Sequence, residues 1–287
     1  MGKSIKKISK IVFIFLLAII AIPTILYFVL KNHKVQTYLT HKIVKQVSEN
    51  LNSKFEIESV NYRFFNKIVL KKVYIEDQLK DTLLYSDELI CYIKNVDRKK
   101  QVIEISTIKL VDAKFYLHKF DTLQSMNLVF LTKSLAKKDT TAKDSAKWQI
   151  VFRNVKLENT VFWYKSVRKR EMDFGVNFND LVCYIDDLDI RNLKVENGEV
   201  QFFTKKLVFK EKSGFSVLRM NFGMHISPTF MKFNNVVIRT PYSYINADSL
   251  VFKHKNFDVY KEFAKNIYLD FNLQESNLSL IDLGYFV

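Results

Sequence analysis

The sequence predicts a mainly β protein, in which a transmembrane helix and an amphipathic helix precede an elongated antiparallel sheet built from repeated units. Three observations lead to this fold class. Phe (25) and Tyr (14) are frequent whereas Gly (6) and Pro (3) are scarce, a balance typical of pleated, half-buried surfaces. The 287 residues are 48% hydrophobic, which is enough for a buried core. Apolar and polar residues alternate from residue 53 onwards, after a long apolar run near the N-terminus.

The apolar run covers residues 11–30, where only Pro23 and Thr24 are not plainly apolar. At about 1.5 Å per residue it is long enough to cross a hydrocarbon core of roughly 30 Å. A cleaved signal peptide has an apolar region of only about 7 to 15 residues that ends in a small-x-small site, which this run lacks. We therefore expect an uncleaved single-pass anchor in the inner membrane, with residues 1–10 in the cytoplasm and the bulk of the chain in the periplasm. The anchor positions are Ile11, Phe15, Ile19, Leu26 and Leu30.

The net charge of +15 is concentrated next to this run. Residues 1–45 contain eight lysines and no acidic residue, which leaves seven of the fifteen charges for the rest of the chain. Lysines beside a membrane segment bind anionic headgroups at roughly 1 kcal/mol each. The charge therefore indicates a membrane partner and does not indicate nucleic acid.

The segment 31–52 is predicted to be an amphipathic helix. Val35, Leu39, Ile43, Val47 and Leu51 recur every four residues, with mostly polar residues between them. Such a helix either lies on the membrane surface or caps the first edge of the sheet.

Residues 53–287 are predicted to form the repeat-built β-domain. One ten-residue unit, with an apolar pair on each side of a two-residue turn, begins at Ile108, Val155, Leu193 and Phe271. The segments 87–93 (DELICYI) and 179–185 (NDLVCYI) form a second repeat. Repeats that bury one face against their neighbours favour an elongated sheet. The polar run 132–147 is interpreted as a flexible insertion.

The odd spacing between the apolar pairs of the ten-residue unit, which we call the parity argument, predicts hairpins. The two apolar pairs are an odd number of residues apart, so an uninterrupted strand would place them on opposite faces. With Asn197 and Gly198 as a type I′ turn, Val195 would pair with Val200 and Leu193 with Phe202. The same arithmetic predicts turns at Asp112-Ala113, Asn159-Thr160 and Glu275-Ser276, with a β-bulge as the alternative.

Catalytic and metal-binding patterns are not found in the sequence. Six glycines form no phosphate-binding loop or nucleophile elbow, and the five histidines are dispersed without zinc spacing. Asp186, Asp187 and Asp189 lack the glycine and the final glutamate of a calcium loop. We expect no enzyme, no metal and no cofactor. Cys91 and Cys183 are either free thiols or a mutual disulfide.

Three segments carry a resemblance to a known family: YIEDQLKDTLLYS at 74–86, KWQIVFRNVKLENTVFWYKS at 147–166, and LSLIDLGYFV at 278–287. With the preceding helices and the strands containing Ile57 and Phe64-Phe65, the chain resembles the N-terminal region of the TamB family of AsmA-like proteins, as found in Bacteroidota. Family members are longer, so the resemblance implies that this chain is truncated at its C-terminus.

The resemblance implies a groove-like sheet that carries phospholipid towards the outer membrane, or else a scaffold that assists outer-membrane protein assembly and secretion with a barrel partner of the TamA/BamA type. In the first role one face of the sheet lines a hydrophobic groove; in an ordinary sandwich the same residues would form the core. The candidate lining residues are Ile108, Leu110, Phe115, Leu117, Val155, Leu157, Phe162, Leu193, Val195, Val200 and Phe202.

Overall fold

The computed structural model describes residues 32–51, 53–63, 66–119, 126–127, 149–166, 174–196, 198–256 and 266–286. In this part of the chain a helix precedes twelve strands, and a short helix follows them. The elements are α1 (His33–Leu51), β1 (Phe55–Glu56), β2 (Ser59–Arg63), β3 (Lys67–Glu76), β4 (Thr82–Asp97), β5 (Val102–His118), β6 (Gln149–Lys165), β7 (Asp180–Glu196), β8 (Glu199–Glu211), β9 (Ser216–Ile226), β10 (Phe230–Arg239), β11 (Tyr244–Lys253), β12 (Tyr268–Leu273), α2 (Leu280–Leu283) and a 3-10 turn (Gly284–Phe286).

The twelve strands form one long sheet, which confirms the mainly β fold class. From β3 onwards each strand pairs with the next one in the chain, and β1 and β2 both pair with β3. The sheet is mixed, not purely antiparallel as predicted, because β5 and β6 are parallel. Short turns can join only antiparallel neighbours, whereas the 30 residues between His118 and Gln149 are enough for a crossover to a parallel strand.

Some predicted features lie outside the described residues. These are the cytoplasmic tail 1–10, the anchor 11–30 with Ile11, Phe15, Ile19, Leu26 and Leu30, the insertion 132–147, and the turn residue Asn197. Among the residues that are described, no helix has the length and apolar character needed to cross a bilayer.

The predicted amphipathic helix is present as α1 and caps the first edge of the sheet. It contacts β1 and β2, which occupy the outer side of β3. Val44 packs against a buried cluster that contains Phe55, Ile57 and Val60. This contact agrees with the edge-capping alternative.

The predicted turn around Gly198 joins β7 to β8. Val195 pairs with Val200 and Glu196 with Glu199, as the parity argument requires. Gly198 has φ +78°, the left-handed conformation of a tight turn. The pairing of Leu193 with Phe202 is not formed, because the register shifts between Arg191 and Lys194.

The other three predicted hairpins are wrong. Asp112-Ala113 and Asn159-Thr160 lie within the continuous strands β5 and β6, and no strands pair across Glu275-Ser276. Asp112 and Asn159 each have φ +49°. In each strand a single left-handed residue, and not a turn, therefore accounts for the odd spacing between the apolar pairs. Such a left-handed residue shifts the alternation by one position and returns the second apolar pair to the same face, while the register with the neighbouring strands is unchanged.

The left-handed residues line up across neighbouring strands. Lys72 in β3 also has φ +49°, and the amide of Asn159 donates a hydrogen bond to the carboxylate of Asp112. Next to these residues, β3 to β6 each contribute one small buried side chain to a row across the sheet. This buried row consists of Val73, Ser86, Ala113 and Thr160, each at most 2% exposed. The register between β3 and β6 is the same on both sides of this level, so the strands stay in step across it.

Candidate functional site

One row of apolar side chains runs across nine adjacent strands. In β3 to β11 each member is the direct cross-strand partner of the next, and directly paired residues share a face of the sheet. At ~4.8 Å between strands the row is about 38 Å long. This leucine row consists of Leu70, Leu89, Leu110, Leu157, Leu188, Leu207, Met220, Ile238 and Ile245.

Two further rows flank the leucine row on the same face. The isoleucine row consists of Ile68, Cys91, Ile108, Val155 and Ile190. The phenylalanine row lies beyond the buried row and consists of Ile75, Leu84, Phe115, Phe162 and Cys183. Phe115 and Phe162 have ring centroids 6.0 Å apart. The cluster that joins Leu70, Val73 and Ile75 shows that residues on both sides of the left-handed Lys72 share this face.

The apolar surface continues to the last strand. Two more cross-strand series reach β12, one from Val195 in β7 and one from Phe202 in β8. The first is Val195, Val200, Ile226, Met231, Phe252 and Leu269, and the second is Phe202, Met224, Phe233, Leu250 and Phe271. We call all five series together the apolar face.

All eleven predicted lining residues lie on strands of this sheet. Leu110 with Leu157, Phe115 with Phe162, and Ile108 with Val155 are direct neighbours in β5 and β6, and Leu117 lies beside Tyr164. Ten of the eleven are half-buried, and Val195 is 67% exposed. The half-buried residues are Ile108, Leu110, Phe115, Leu117, Val155, Leu157, Phe162, Leu193, Val200 and Phe202.

The sequence repeat assigned the wrong member of the leucine row in β7. Leu157 and Val195 occupy equal positions in two repeat units, but Leu188 pairs with Leu157 and Val195 lies at the far end of the strand. Leu188, Leu207 and Met220 were missed altogether. The sequence pattern gives little indication of these residues, because the register between β7 and β8 shifts three times. Each shift changes which residues face the apolar side.

The opposite face of the sheet carries charged pairs. Lys109 lies 2.6 Å from Glu158, and Lys206 lies 2.7 Å from Asp187. These side chains alternate with members of the leucine row, so they point to the other side of the strands. The sheet therefore has one apolar and one ionic face.

Asp189 is the most buried acid of this ionic network. Its carboxylate accepts two hydrogen bonds from Arg191, at 2.5 and 2.7 Å, and lies 3.4 Å from Lys156. Burial alone would raise the pKa of Asp189, but the hydrogen bond from Arg191 and the two positive charges outweigh it and lower the pKa. Lys156 thus has a defined partner on the ionic face.

Cys91 and Cys183 are free thiols on the apolar face. They lie in β4 and β7, with β5 and β6 between them, and three strand spacings amount to about 14 Å. A disulfide needs Cα atoms within about 7 Å, so this fold excludes the intrachain bond. Burial raises the pKa of each thiol to about 11.

No second sheet covers the apolar face within the described ranges, where all twelve strands belong to one sheet. Buried clusters lie near its two ends, one around Val73 and Leu83 and one around Phe222, Val236 and Ala247. Between these clusters the members of the leucine, isoleucine and phenylalanine rows are only half-buried. This arrangement differs from a closed sandwich core, which needs two facing sheets.

In the part of the chain that the structure describes, no three His, Cys, Asp or Glu side chains are grouped so that they could hold a metal ion. A scan against models of protein families finds no match for the chain, and a search of curated proteins finds no similar sequence.

Proposed function

We propose that the protein binds phospholipid acyl chains on its apolar face and conducts them from the inner membrane towards the outer membrane. In this proposal residues 11–30 anchor the chain in the inner membrane and the sheet extends into the periplasm. The observation that carries the proposal is the leucine row, which crosses nine strands while ion pairs occupy the opposite face. The role needs no catalytic residue and no cofactor.

An apolar face of this length is suited to a molecule that water excludes. Exposing an acyl chain to water costs ~0.8 kcal/mol per methylene, hence about 12 kcal/mol for sixteen carbons. Side chains such as Leu110 and Leu157 offer partly exposed apolar surface at every strand, so that lipid can move along the row without entering water. The same surface would be a liability on a soluble protein with no apolar ligand.

A crosslinking experiment tests this proposal. A photoreactive residue at Leu157, on the apolar face, should capture phospholipid in cells. The same residue at Lys114, which is exposed between Ala113 and Phe115 and points to the opposite face, should not. Equal capture at both positions, or capture of no lipid at Leu157, would refute lipid conduction.

A charge substitution gives a second test. Leu157→Asp should impair outer-membrane integrity at near-normal protein abundance, because a partly exposed position tolerates a carboxylate better than a closed core does. Lys114→Asp is the matched control, because Lys114 is exposed on the opposite face. Lys156 is unsuitable as a control position, because Lys156→Asp would set a carboxylate against buried Asp189. Loss of the folded Leu157→Asp protein would assign this position to a core.

The second candidate function is a scaffold that assists outer-membrane barrel assembly, with a partner of the TamA/BamA type. All six residues of β12 are exposed, which leaves an edge strand available for pairing. A photoreactive residue at Phe271 would trap unfolded barrel substrate in this case. Capture of phospholipid there would favour the first candidate.

A further inference from the structure

A cleft of about 660 Å³ lies between α1 and the first strands of the sheet. Helix residues Thr40 and Val44 line one side, and Glu58, Lys72 and Tyr85 line the other. Its volume is within the usual range of small-molecule sites, about 300 to 1,000 Å³. Since α1 begins three residues after the predicted membrane segment ends, this cleft lies at the membrane-proximal end of the sheet.

The ion pairs in and beside the cleft are exposed and weak. Lys72 Nζ lies 2.9 Å from a carboxylate oxygen of Glu58, with the side chains 62% and 55% exposed. Lys54 lies 3.0 Å from Glu56 at similar exposure. Exposed ion pairs of this kind contribute only about 0 to 1 kcal/mol. A ligand with its own ammonium and anionic group can therefore replace one at little cost.

Aromatic and aliphatic groups lie beside these charges. Tyr74 and Tyr85 are cross-strand partners that both line the cleft, and the Tyr85 hydroxyl donates a 2.6 Å hydrogen bond to Asp87. They alternate with Ile75 and Leu84 of the apolar face, so their rings lie on the opposite face of the sheet. Tyrosine rings attract ammonium groups through cation–π contacts, as Lys54 shows at 5.6 Å from the Tyr74 ring centroid. Val44 and Ile57 add apolar surface next to the charged groups.

We propose that this cleft binds the zwitterionic headgroup of an aminophospholipid such as phosphatidylethanolamine, with its ammonium at Glu58 and the tyrosine rings and its phosphate at Lys72. The inference rests on the proposed lipid role and adds the class of lipid. Val44 and Ile57 connect the cleft to the buried apolar cluster at this edge of the sheet. Glu58 lies in the segment before β2 and Lys72 lies in β3, so the site is formed where α1 meets this edge of the sheet.

The test uses the full chain in detergent micelles and native mass spectrometry of bound lipid, with phosphatidylethanolamine and phosphatidylglycerol added in equal amounts. The wild-type protein should retain phosphatidylethanolamine at least about fivefold over phosphatidylglycerol. The double variant Glu58→Gln with Lys72→Gln, which keeps the net charge, should bring this ratio near one. The matched control Lys94→Gln with Glu104→Gln removes a similar exposed pair, 3.6 Å apart, outside the cleft and should retain the preference.

Each outcome bears on the inference. Wild-type protein that binds lipid without headgroup preference overturns the cleft site and leaves the apolar face in place. Equal loss of preference in the control pair also overturns it. Wild-type protein that binds neither lipid overturns both the cleft and the lipid role. Circular dichroism melting of each variant, expected to match the wild type, separates loss of binding from loss of fold.

Discussion

Asn159 provides the sharpest test of how the sheet acquires its apolar face. It sits inside β6 at φ +49°, and its amide donates to the carboxylate of Asp112. The left-handed region costs an ordinary L-residue roughly 1 to 2 kcal/mol, and a β-branched residue meets the greatest resistance. Losing an exposed hydrogen bond adds about 0.5 to 1.5 kcal/mol. We therefore expect Asn159→Val to lower the free energy of unfolding by about 2 to 3 kcal/mol.

Asn159→Gly separates the two contributions. Glycine adopts positive φ without steric cost, so this variant loses the hydrogen bond alone and should be destabilised by about 1 kcal/mol. Urea denaturation of the full chain in detergent, followed by circular dichroism, should place the midpoints in the order wild type, glycine variant, valine variant. Valine and glycine variants with the same midpoint would show that the left-handed backbone does not control this position.

Four further predictions follow from other positions. Gly198→Val should lower the melting temperature, because its φ of +78° resists a β-branched residue; an unchanged melting temperature would contradict the turn. The lowered pKa of Asp189 stabilises the fold above the ordinary carboxyl pKa of about 3.9, so stability should fall as the pH drops through the folded pKa, and Asp189→Asn should flatten that slope in pH-dependent melting. Cys91 and Cys183 should react with maleimide only slowly at pH 8 until the chain is unfolded, and non-reducing gels should show no intrachain bond. The protein should keep its N-terminus and require detergent for extraction; a soluble form starting near residue 31 would refute the anchor.

The parity argument predicted part of the sheet correctly and part of it wrongly for one physical reason. An odd spacing between apolar pairs is satisfied either by a two-residue turn or by one left-handed residue. A type I′ turn needs positive φ at two successive positions, which Gly198 accepts readily and β-branched Thr160 resists. The second turn residue was the usable signal: Ala113 and Thr160 favour a continuous strand, in which only Asp112 and Asn159 are left-handed.

The candidate lining residues were predictable where strand register follows from the repeat. Ile108 with Val155 and Leu110 with Leu157 occupy equal positions in two repeat units, and the parallel pairing of β5 and β6 brings equal positions together. The third unit fails because β7 runs antiparallel to β6, so that Leu188 and not Val195 meets Leu157. The parallel direction of β6 relative to β5 depends on the long connection between these strands. Residue patterns within the strands do not determine that direction.

The strand order of this sheet makes its length a modular property. Because each strand from β3 onwards pairs with its neighbours in the chain, an inserted pair of antiparallel strands would lengthen the sheet by about 9.6 Å and leave every existing pairing intact. The width of the apolar face depends instead on positions within each strand, such as the left-handed Asn159. Duplication of hairpins can thus adjust the distance the sheet spans without altering its cross-section, as in repeat proteins whose units interact only with adjacent units.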